Sequence, residues 1–294
     1  MSAHWKSSKT IALIALVGIT AVWGYTFLSV QDAIEQMPVM DFLAWRFLSA
    51  SVVMIALRPT CLRNVTRLQL LRGVGLGTIL GLAYVAQTYG LLYTSAATSG
   101  FITGMFVVLT PVMSWILLRR KTNRNTWMVI ALATVGLALL SLNGWSVGIG
   151  ELLTLGCAVF FAIHIVGLGE WSSNYDPYVF SLLQIGAVAV ISLIAAIPGG
   201  IAVPPNPGVW GAVAITGVLA TAAGFFVQTW TLSLVSATRA AVVMTMEPVF
   251  AGIFAVIIGG NRLTLRTIFG AACIVVAMFI INLKSGWSGP QPET

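Results

Sequence analysis

Residues 87–96 read QTYGLLYTSA, and residues 228–237 read QTWTLSLVSA. The two segments are identical at five of ten positions, keep an aromatic residue at a sixth, and are separated by about half the length of the chain. Two shorter matches accompany them: Ala21-Val22-Trp23 resembles Ala158-Val159-Phe160, and Thr110-Pro111-Val112 resembles Glu247-Pro248-Val249. Three matches in the same order indicate that the chain consists of two homologous halves.

The composition is that of a membrane protein. Hydrophobic residues make up 58% of the chain and charged residues 8%, whereas soluble domains contain roughly 25% charged residues. Such a chain has too few polar side chains to cover a particle in water. The net charge of +7 comes from short clusters between apolar runs. This distribution is typical of cytoplasmic loops and not of a nucleic-acid-binding face, so we expect no nucleic-acid partner.

A helix that crosses a membrane needs about 20 mostly apolar residues. Ten such runs occur, at residues 10–30, 41–57, 72–92, 97–118, 126–143, 149–169, 178–197, 208–233, 237–258 and 264–283. The sequence therefore predicts an all-α integral membrane protein with ten transmembrane helices.

The two halves, which we place at residues 1–144 and 145–294, then have five helices each. Because five is odd, the second half enters the membrane from the opposite side, and the halves are inverted repeats. Inverted repeats are typical of secondary transporters, whose binding site lies near the midplane between the repeats. With the N-terminus in the cytoplasm, twelve Lys and Arg residues fall on the cytoplasmic side and two on the other. We therefore predict that both termini are cytoplasmic.

The chain resembles the drug/metabolite transporter superfamily, in its ten-helix EamA-type branch. The resemblance rests on Ala21-Val22-Trp23-Gly24, Arg46, Thr94-Ser95-Ala96 with Thr110-Pro111, and Val235-Ser236-Ala237 with Glu247-Pro248-Val249. It implies export of small metabolites, often amino acids, across the bacterial inner membrane. The segment TSGFITG at residues 98–104 and the many aromatic residues are similar to the aromatic amino-acid exporters.

Glu247 is an acidic residue in the middle of the ninth apolar run. A charge at such a depth costs on the order of 3 kcal/mol and usually faces a cavity. One interpretation is a carboxyl group that binds and releases a proton during transport. The other is a structural group that bonds a backbone carbonyl freed by Pro248. Thr110, its match in the first half, cannot titrate.

Arg46 lies in the second run, five residues after Asp41, which is poor spacing for an ion pair on one helix. It is either an anchor for a substrate carboxylate, which a guanidinium binds through two parallel hydrogen bonds, or a structural residue between helices.

His164, in the sixth run, is either a neutral packing residue, or a group that relays protons or contacts the substrate. The chain's other histidine is His4, so we expect no metal site.

Gln87 and Gln228 are equivalent in the repeat, and each shares a helix face with aromatic and threonine side chains. Polar groups within a bilayer must find partners inside the protein, so both faces should turn inward. The two amides either bind the ends of a zwitterion or bond across helices. We expect the aromatic residues of the cavity to be Trp23, Tyr84, Phe101 and Trp230.

Other classes of protein lack support in the sequence. It contains no HExxH motif and no glycine-rich phosphate loop, so we expect neither an enzyme nor a cofactor. A membrane scaffold normally has a large soluble loop or tail, and no segment between the runs is long enough. A multidrug transporter or another metabolite transporter of the same fold remains an alternative.

We expect a small-molecule substrate and the lipid bilayer as partners. Ten helices can enclose a pathway, so a monomer is sufficient, and a homodimer is also compatible with the sequence.

Overall fold

The computed structural model describes residues 2–94, 96–141, 148–257 and 264–283, and within these ranges the chain is helical, without a β-strand. The predicted boundary between residues 144 and 145 lies outside the described residues. The helices are α1 (Ser2–Ile34), α2 (Val39–Leu57), α3 (Arg67–Gly90), α4 (Ala96–Gly104), α5 (Phe106–Leu118), α6 (Arg124–Ser141), α7 (Ile149–Trp171), α8 (Pro177–Ala196), α9 (Pro207–Ala214), α10 (Gly224–Leu232), α11 (Ala237–Met244), α12 (Met246–Ile257) and α13 (Leu265–Leu283). A π-helical segment (Ile215–Ala223) joins α9 to α10.

Several helices begin where a polar side chain bonds the first free backbone N–H groups. The Thr66 side chain accepts a hydrogen bond from Gln69 N at 3.2 Å at the start of α3. The Asp176 carboxylate accepts one from Tyr178 N at 2.9 Å at the start of α8, whose first residue is Pro177. Proline is well placed there because the first position of a helix needs no N–H donor.

Seven helical segments are long and apolar enough to cross a membrane. They are residues 8–34, 39–57, 67–90, 98–118, 149–174, 177–199 and 207–232. Between 35% and 56% of their most apolar stretches is buried in the protein, so about half of this apolar surface faces outward, where lipid can cover it. The predicted all-α membrane class is therefore confirmed. The other three predicted runs hold α6, the pair α11 and α12, and α13.

Two helices are interrupted at related places. The backbone leaves the α-helical pattern at Met105, between α4 and α5, and at Thr245, between α11 and α12, within one position of the spacing that relates the two halves. Pro248 explains the second interruption, because its ring clashes with the carbonyl group four residues earlier, that of Met244. Thr245 N instead donates to Val242 O at 3.3 Å, in a tighter turn. Each interruption is followed directly by a new helix N-terminus.

Three contacts between the two halves hold the helices together at one end of the bundle, which we call the ion-paired end. Arg58 pairs with Asp176 at 2.6 Å, and Arg120 pairs with Glu170 at 2.7 Å. Arg72 donates to the Tyr175 hydroxyl at 3.0 Å. All three arginines belong to the first half, and their partners lie at the end of α7 and in the turn to α8. At the opposite end, Asn206 donates to the Gln36 side chain at 2.7 Å.

Helices α3 and α8 approach closely because α3 presents glycines to α8. A Cβ atom added to Gly77 would lie 2.6 Å from the carbonyl oxygen of Gln184, and one added to Gly73 would lie 2.7 Å from Leu183 Cβ. Small residues four positions apart allow such contact between membrane helices. The same close approach brings the core faces of α3 and α8 together beside the cavity described below.

Substituting Gly77→Ala should destabilise the protein, because the new methyl group meets backbone atoms of α8. We expect the free energy of unfolding to fall by about 1–3 kcal/mol, as for other overpacked sites. Gly75→Ala is the matched control: nothing lies within 4 Å of a Cβ atom there, and alanine favours the helix by up to about 1 kcal/mol. Thermal unfolding in detergent would measure both variants. Equal midpoints would contradict the packing described here.

Candidate functional site

A small cavity of about 60 Å³ lies between the halves, and we call it the central cavity. Side chains from α1, α2, α3, α4, α5, α7, α10, α11 and α12 line it. They are Trp23, Thr26, Phe27, Val30, Arg46, Tyr84, Gln87, Leu91, Thr103, Phe106, Phe161, Ile165, Phe225, Gln228, Met244 and Glu247. The lining is mostly apolar and aromatic, with one arginine, one glutamate, two glutamines and two threonines. Few convergent polar groups in an apolar pocket are typical of a small-molecule site.

Arg46 is held in place by two side chains from different helices. Its Nε atom donates to Thr221 Oγ1 at 2.9 Å, and one terminal nitrogen donates to the Tyr84 hydroxyl at 3.3 Å. The guanidinium carbon also lies 4.7 Å from the centre of the Tyr84 ring. Arg46 is only 4% exposed. These contacts leave the remaining guanidinium nitrogen available to an anion in the cavity, because an arginine has five N–H donors.

Glu247 lies in the first turn of α12, directly after the interruption at Thr245. The N-terminus of a helix attracts negative charge, since its backbone N–H groups point toward it. The carboxyl group lines the central cavity and has no hydrogen-bond or ion-pair partner in the described part of the chain. Pro248 is the third residue of α12. The first N–H groups of a helix have no carbonyl partner within that helix, so a proline at this position breaks no hydrogen bond of α12. One interpretation of the sequence is a hydrogen bond from Glu247 to a backbone carbonyl freed by Pro248. The described residues contain no such bond.

Close packing of α1 against α12 brings Trp23 and Glu247 to the same cavity. A Cβ atom on Gly24 would lie 2.6 Å from Glu247 O, so only glycine lets α1 approach α12 this closely. Trp23 Nε1 donates to Ala220 O at 2.7 Å. The rings of Trp23 and Tyr84 each lie 6.0 Å from the ring of Phe225. These three rings form an aromatic wall of the central cavity.

The glutamines predicted as a repeat-related pair make equivalent contacts. Gln87 Nε2 donates to Thr103 Oγ1 at 3.2 Å, and Gln228 Nε2 lies 3.4 Å from Met244 Sδ. Each partner is 16 residues after its glutamine and close to the helix interruption. A thioether is a weak acceptor, and Gln228 Oε1 has no hydrogen-bond partner in the described residues. The second half thus holds its glutamine less tightly than the first.

The comparisons with known proteins identify the family. The model of the EamA-like transporter family matches residues 10–142 and again residues 148–283. The chain belongs to the EamA-like transporter family. A protein of Archaeoglobus fulgidus described as an uncharacterized transporter is 32% identical over 276 residues, covering 93% of this chain and 85% of that protein. The uncharacterized transporter YoaV of Bacillus subtilis is 23% identical over 298 residues, covering 91% and 95%.

A solved crystal structure has the same fold. It superimposes with a TM-score of 0.76 at 18% sequence identity, and the match covers 94% of this chain and 97% of the other. Together with the apolar helices, the family match shows that this chain is a multi-pass membrane transporter.

Not every residue predicted for the site of this EamA-like transporter lies in it. Trp23, Arg46, Tyr84, Gln87, Gln228 and Glu247 line the central cavity. His164 and Trp230 do not: His164 is fully buried and lies 2.7 Å from Gln184 Oε1 through its Nε2 atom, while Trp230 is partly exposed. This placement favours the packing interpretation of His164. The side chain of Phe101 lies outside the described residues.

The lining residues that sequence reasoning missed include Thr103, Phe106, Phe161 and Met244. The repeat itself could have found three of them. Thr103 and Met244 have the same separation in the chain as Gln87 and Gln228, and so do Phe106 and Glu247. Extending that register by one helix would have predicted both pairs. Phe161 has no comparable signal, because an aromatic residue in an apolar run is equally suited to face lipid.

Replacing Thr221 by valine should destabilise this transporter, because a buried guanidinium loses its acceptor. We expect a loss of about 1–3 kcal/mol in the free energy of unfolding. Thr216→Val is the matched control: Thr216 is equally buried in the same π-helical segment, but its hydroxyl donates within its own helix, to Ala212 O at 2.7 Å. Thermal unfolding of the two variants in detergent would measure the difference. A similar loss in both would show that the bond to Arg46 contributes nothing particular.

Proposed function

We propose that this transporter exports small zwitterionic metabolites, and amino acids in particular, by alternating access. The observation that supports this most directly is the pair of opposite charges in one cavity. Arg46 and Glu247 both line it, and neither makes an ion pair in the described part of the chain. Charges removed from water need compensation, and an amino acid supplies one of each sign.

The substrate's carboxylate binds the free side of the Arg46 guanidinium through the charge-assisted hydrogen bonds that such groups favour. Its ammonium group binds the Glu247 carboxylate. The side chain then contacts the wall formed by Trp23, Tyr84 and Phe225, which suits an apolar or aromatic group. An aromatic or other neutral amino acid fits this arrangement better than an acidic or basic one, which would bring a third charge.

The cavity volume supports a contracted state of the site. At about 60 Å³ the central cavity is well below the roughly 300–1,000 Å³ of sites that hold drug-sized ligands. Its walls must therefore separate to admit a substrate. A site between two halves that contracts when empty and opens to one side at a time is what alternating access requires.

Glu247 also serves as the coupling group. Within a membrane the free energy of a carboxyl group is lowest when the group is protonated or paired with a cation. A proton and a substrate ammonium group therefore compete for the same carboxylate. Exchange of one for the other as the site changes sides exports the amino acid and imports a proton.

The chain crosses the membrane ten times, as two inverted halves of five helices. Support comes from the two successive family matches and from the two helix interruptions at related places. The packing is also symmetric. Helix α1 contacts α12 as α7 contacts α5, and α3 contacts α7 as α10 contacts α1. If the two halves are exchanged, the contact between α1 and α12 becomes that between α7 and α5, and the contact between α3 and α7 becomes that between α10 and α1.

Export of multiple drugs is the alternative on the same fold. An aromatic cavity accepts many hydrophobic cations, and Glu247 would pair with them. Arg46, however, would then keep an unpaired buried charge next to a bound cation. The arginine in the cavity therefore favours a substrate that has a carboxylate.

Proteoliposomes preloaded with labelled tryptophan or threonine should test the assignment. We expect efflux above that of protein-free liposomes, faster when an imposed pH gradient drives protons inward. Glu247→Gln should slow efflux, because the substrate ammonium group loses its carboxylate, and the remaining efflux should not respond to the gradient, because an amide cannot exchange a proton. Arg46→Gln should reduce efflux by at least about tenfold, since loss of one member of a buried charged hydrogen bond costs about 2–5 kcal/mol.

Asp32→Asn is the control for these variants, because Asp32 is exposed and does not line the central cavity. It should behave as the unmodified transporter. Efflux that ignores the gradient would make the protein a facilitator and remove the coupling role of Glu247. If neither amino acid leaves the liposomes, the substrate assignment is wrong.

The topology is testable in cells. We propose that the protein lies in the bacterial inner membrane with both termini in the cytoplasm, as the distribution of Lys and Arg predicts. A green fluorescent protein fused after Thr294 should fluoresce, and alkaline phosphatase at the same place should be inactive. The opposite pair of results would invert the proposed orientation or change the number of crossings by one.

A further inference from the structure

A second cavity lies beside the central cavity and opens at the end of the bundle opposite the ion-paired end. It measures about 380 Å³ and is lined by Gln31, Ile34, Glu35, Leu91, Leu92, Tyr93 and Thr94. We call it the vestibule. In the described chain, Leu91 is the one residue that lines both the vestibule and the central cavity. The two cavities therefore adjoin at Leu91.

One face of α1 forms a continuous wall along both cavities. It contributes Trp23, Thr26, Phe27 and Val30 to the central cavity and Gln31, Ile34 and Glu35 to the vestibule. These positions follow one another at the three- and four-residue spacing of a single helix face. The stretch from Trp23 to Glu35 is about 18 Å long at roughly 1.5 Å per residue. That is more than half of the roughly 30 Å hydrocarbon layer of a bilayer, which is the length expected of an exit path.

The opposite wall is the end of α3 and the turn that follows it. Tyr84, Gln87 and Leu91 lie on one face of α3 at the same spacing, and Leu91 is only 3% exposed. The turn is fixed to the start of α7. Thr94 Oγ1 donates to Glu151 Oε1 at 2.6 Å, and a Cβ atom on Gly90 would lie 3.1 Å from Gly150 O. The turn is thus anchored to α7, and Leu91 belongs to the same buried apolar cluster as Phe27, Val30 and Ile34 of α1.

We propose that Leu91 is the gate through which substrate passes from the central cavity into the vestibule. This inference rests on the proposed function, since it takes the central cavity as the substrate site. The vestibule suits an amine: its lining includes the carboxylate of Glu35 and no lysine or arginine among the described residues. An ammonium group leaving Glu247 therefore meets a second carboxylate on the way out. Opening requires the leucine to leave its apolar contacts, so its size sets the rate of release.

Changing the size of residue 91 should change efflux in opposite directions. In loaded proteoliposomes we expect Leu91→Ala to accelerate efflux by about tenfold, because the smaller side chain has less apolar contact to break. Leu91→Trp should slow efflux by a similar factor. The controls are Leu82→Ala and Leu82→Trp on the same helix, where the side chain is 46% exposed and lines neither cavity. Both control variants should match the unmodified protein within about twofold.

A second measurement tests the gate without any substrate. Phe106 lines the central cavity and not the vestibule, so the thiol of Phe106→Cys reports access to the central cavity. A small water-soluble thiol reagent added from the vestibule side should modify this cysteine about tenfold faster with Leu91→Ala than with Leu91 in place. The same measurement without Phe106→Cys corrects for the three native cysteines.

The two measurements separate the possible failures. If the unmodified protein moves no amino acid while the cysteine becomes more accessible with Leu91→Ala, the proposed substrate is wrong and the gate stands. If amino acids are exported but neither efflux nor accessibility depends on the size of residue 91, the gate is overturned. An equal effect of the Leu82 variants would likewise overturn it.

Discussion

Two opposite charges inside one apolar cavity are the constraint on which the rest of this structure depends. A bilayer offers no water to solvate Arg46 or Glu247, so each must be supported by its surroundings. The arginine is supported by Thr221 and Tyr84, which come from opposite halves of the chain. The glutamate is supported by the first turn of α12. The bond from Arg46 to Thr221 exists only when the halves pack together, so support of this buried charge and assembly of the fold are linked.

The interrupted helices allow that support. An unbroken helix through residues 237–257 would place Glu247 in mid-helix, where no backbone N–H is free. Pro248 instead forces a new N-terminus at the depth of the cavity. The first half has the related interruption at Met105. In the register that relates Gln87 to Gln228, Phe106 corresponds to Glu247, whereas the proline motifs align Thr110 with Glu247. In the glutamine register the repeated backbone thus provides two equivalent positions. One holds the ionisable Glu247, and the other holds Phe106, which is part of the apolar lining of the cavity.

The sequence predicts the class of protein and the polar half of the site, for one physical reason. A polar residue in an apolar run must turn inward, so Arg46, Gln87, Gln228 and Glu247 could be placed beside a cavity from their sequence positions. Apolar residues carry no such information, because lipid and protein core accept them equally, and Phe161 was therefore missed. His164 is polar, but its Nε2 atom bonds Gln184, and the residue does not line the central cavity. Its partner is the eighth residue of α8, as Arg46 is the eighth residue of α2, so the two halves use one position differently.

The two ends of the bundle differ in how they are closed, and this difference fits a direction of release. At the ion-paired end, charged contacts at 2.6 and 2.7 Å join the first half to the end of α7 and the turn that follows it. Exposed ion pairs contribute little stability individually, typically below about 1 kcal/mol each, so they can separate readily when the halves move. At the other end the central cavity and the vestibule adjoin at Leu91. Because the ion-paired end contains the arginine clusters, it is the cytoplasmic end in the proposed orientation. If the proposed orientation and the proposed gate are both correct, several contacts hold the cytoplasmic end together while one residue controls release to the outside.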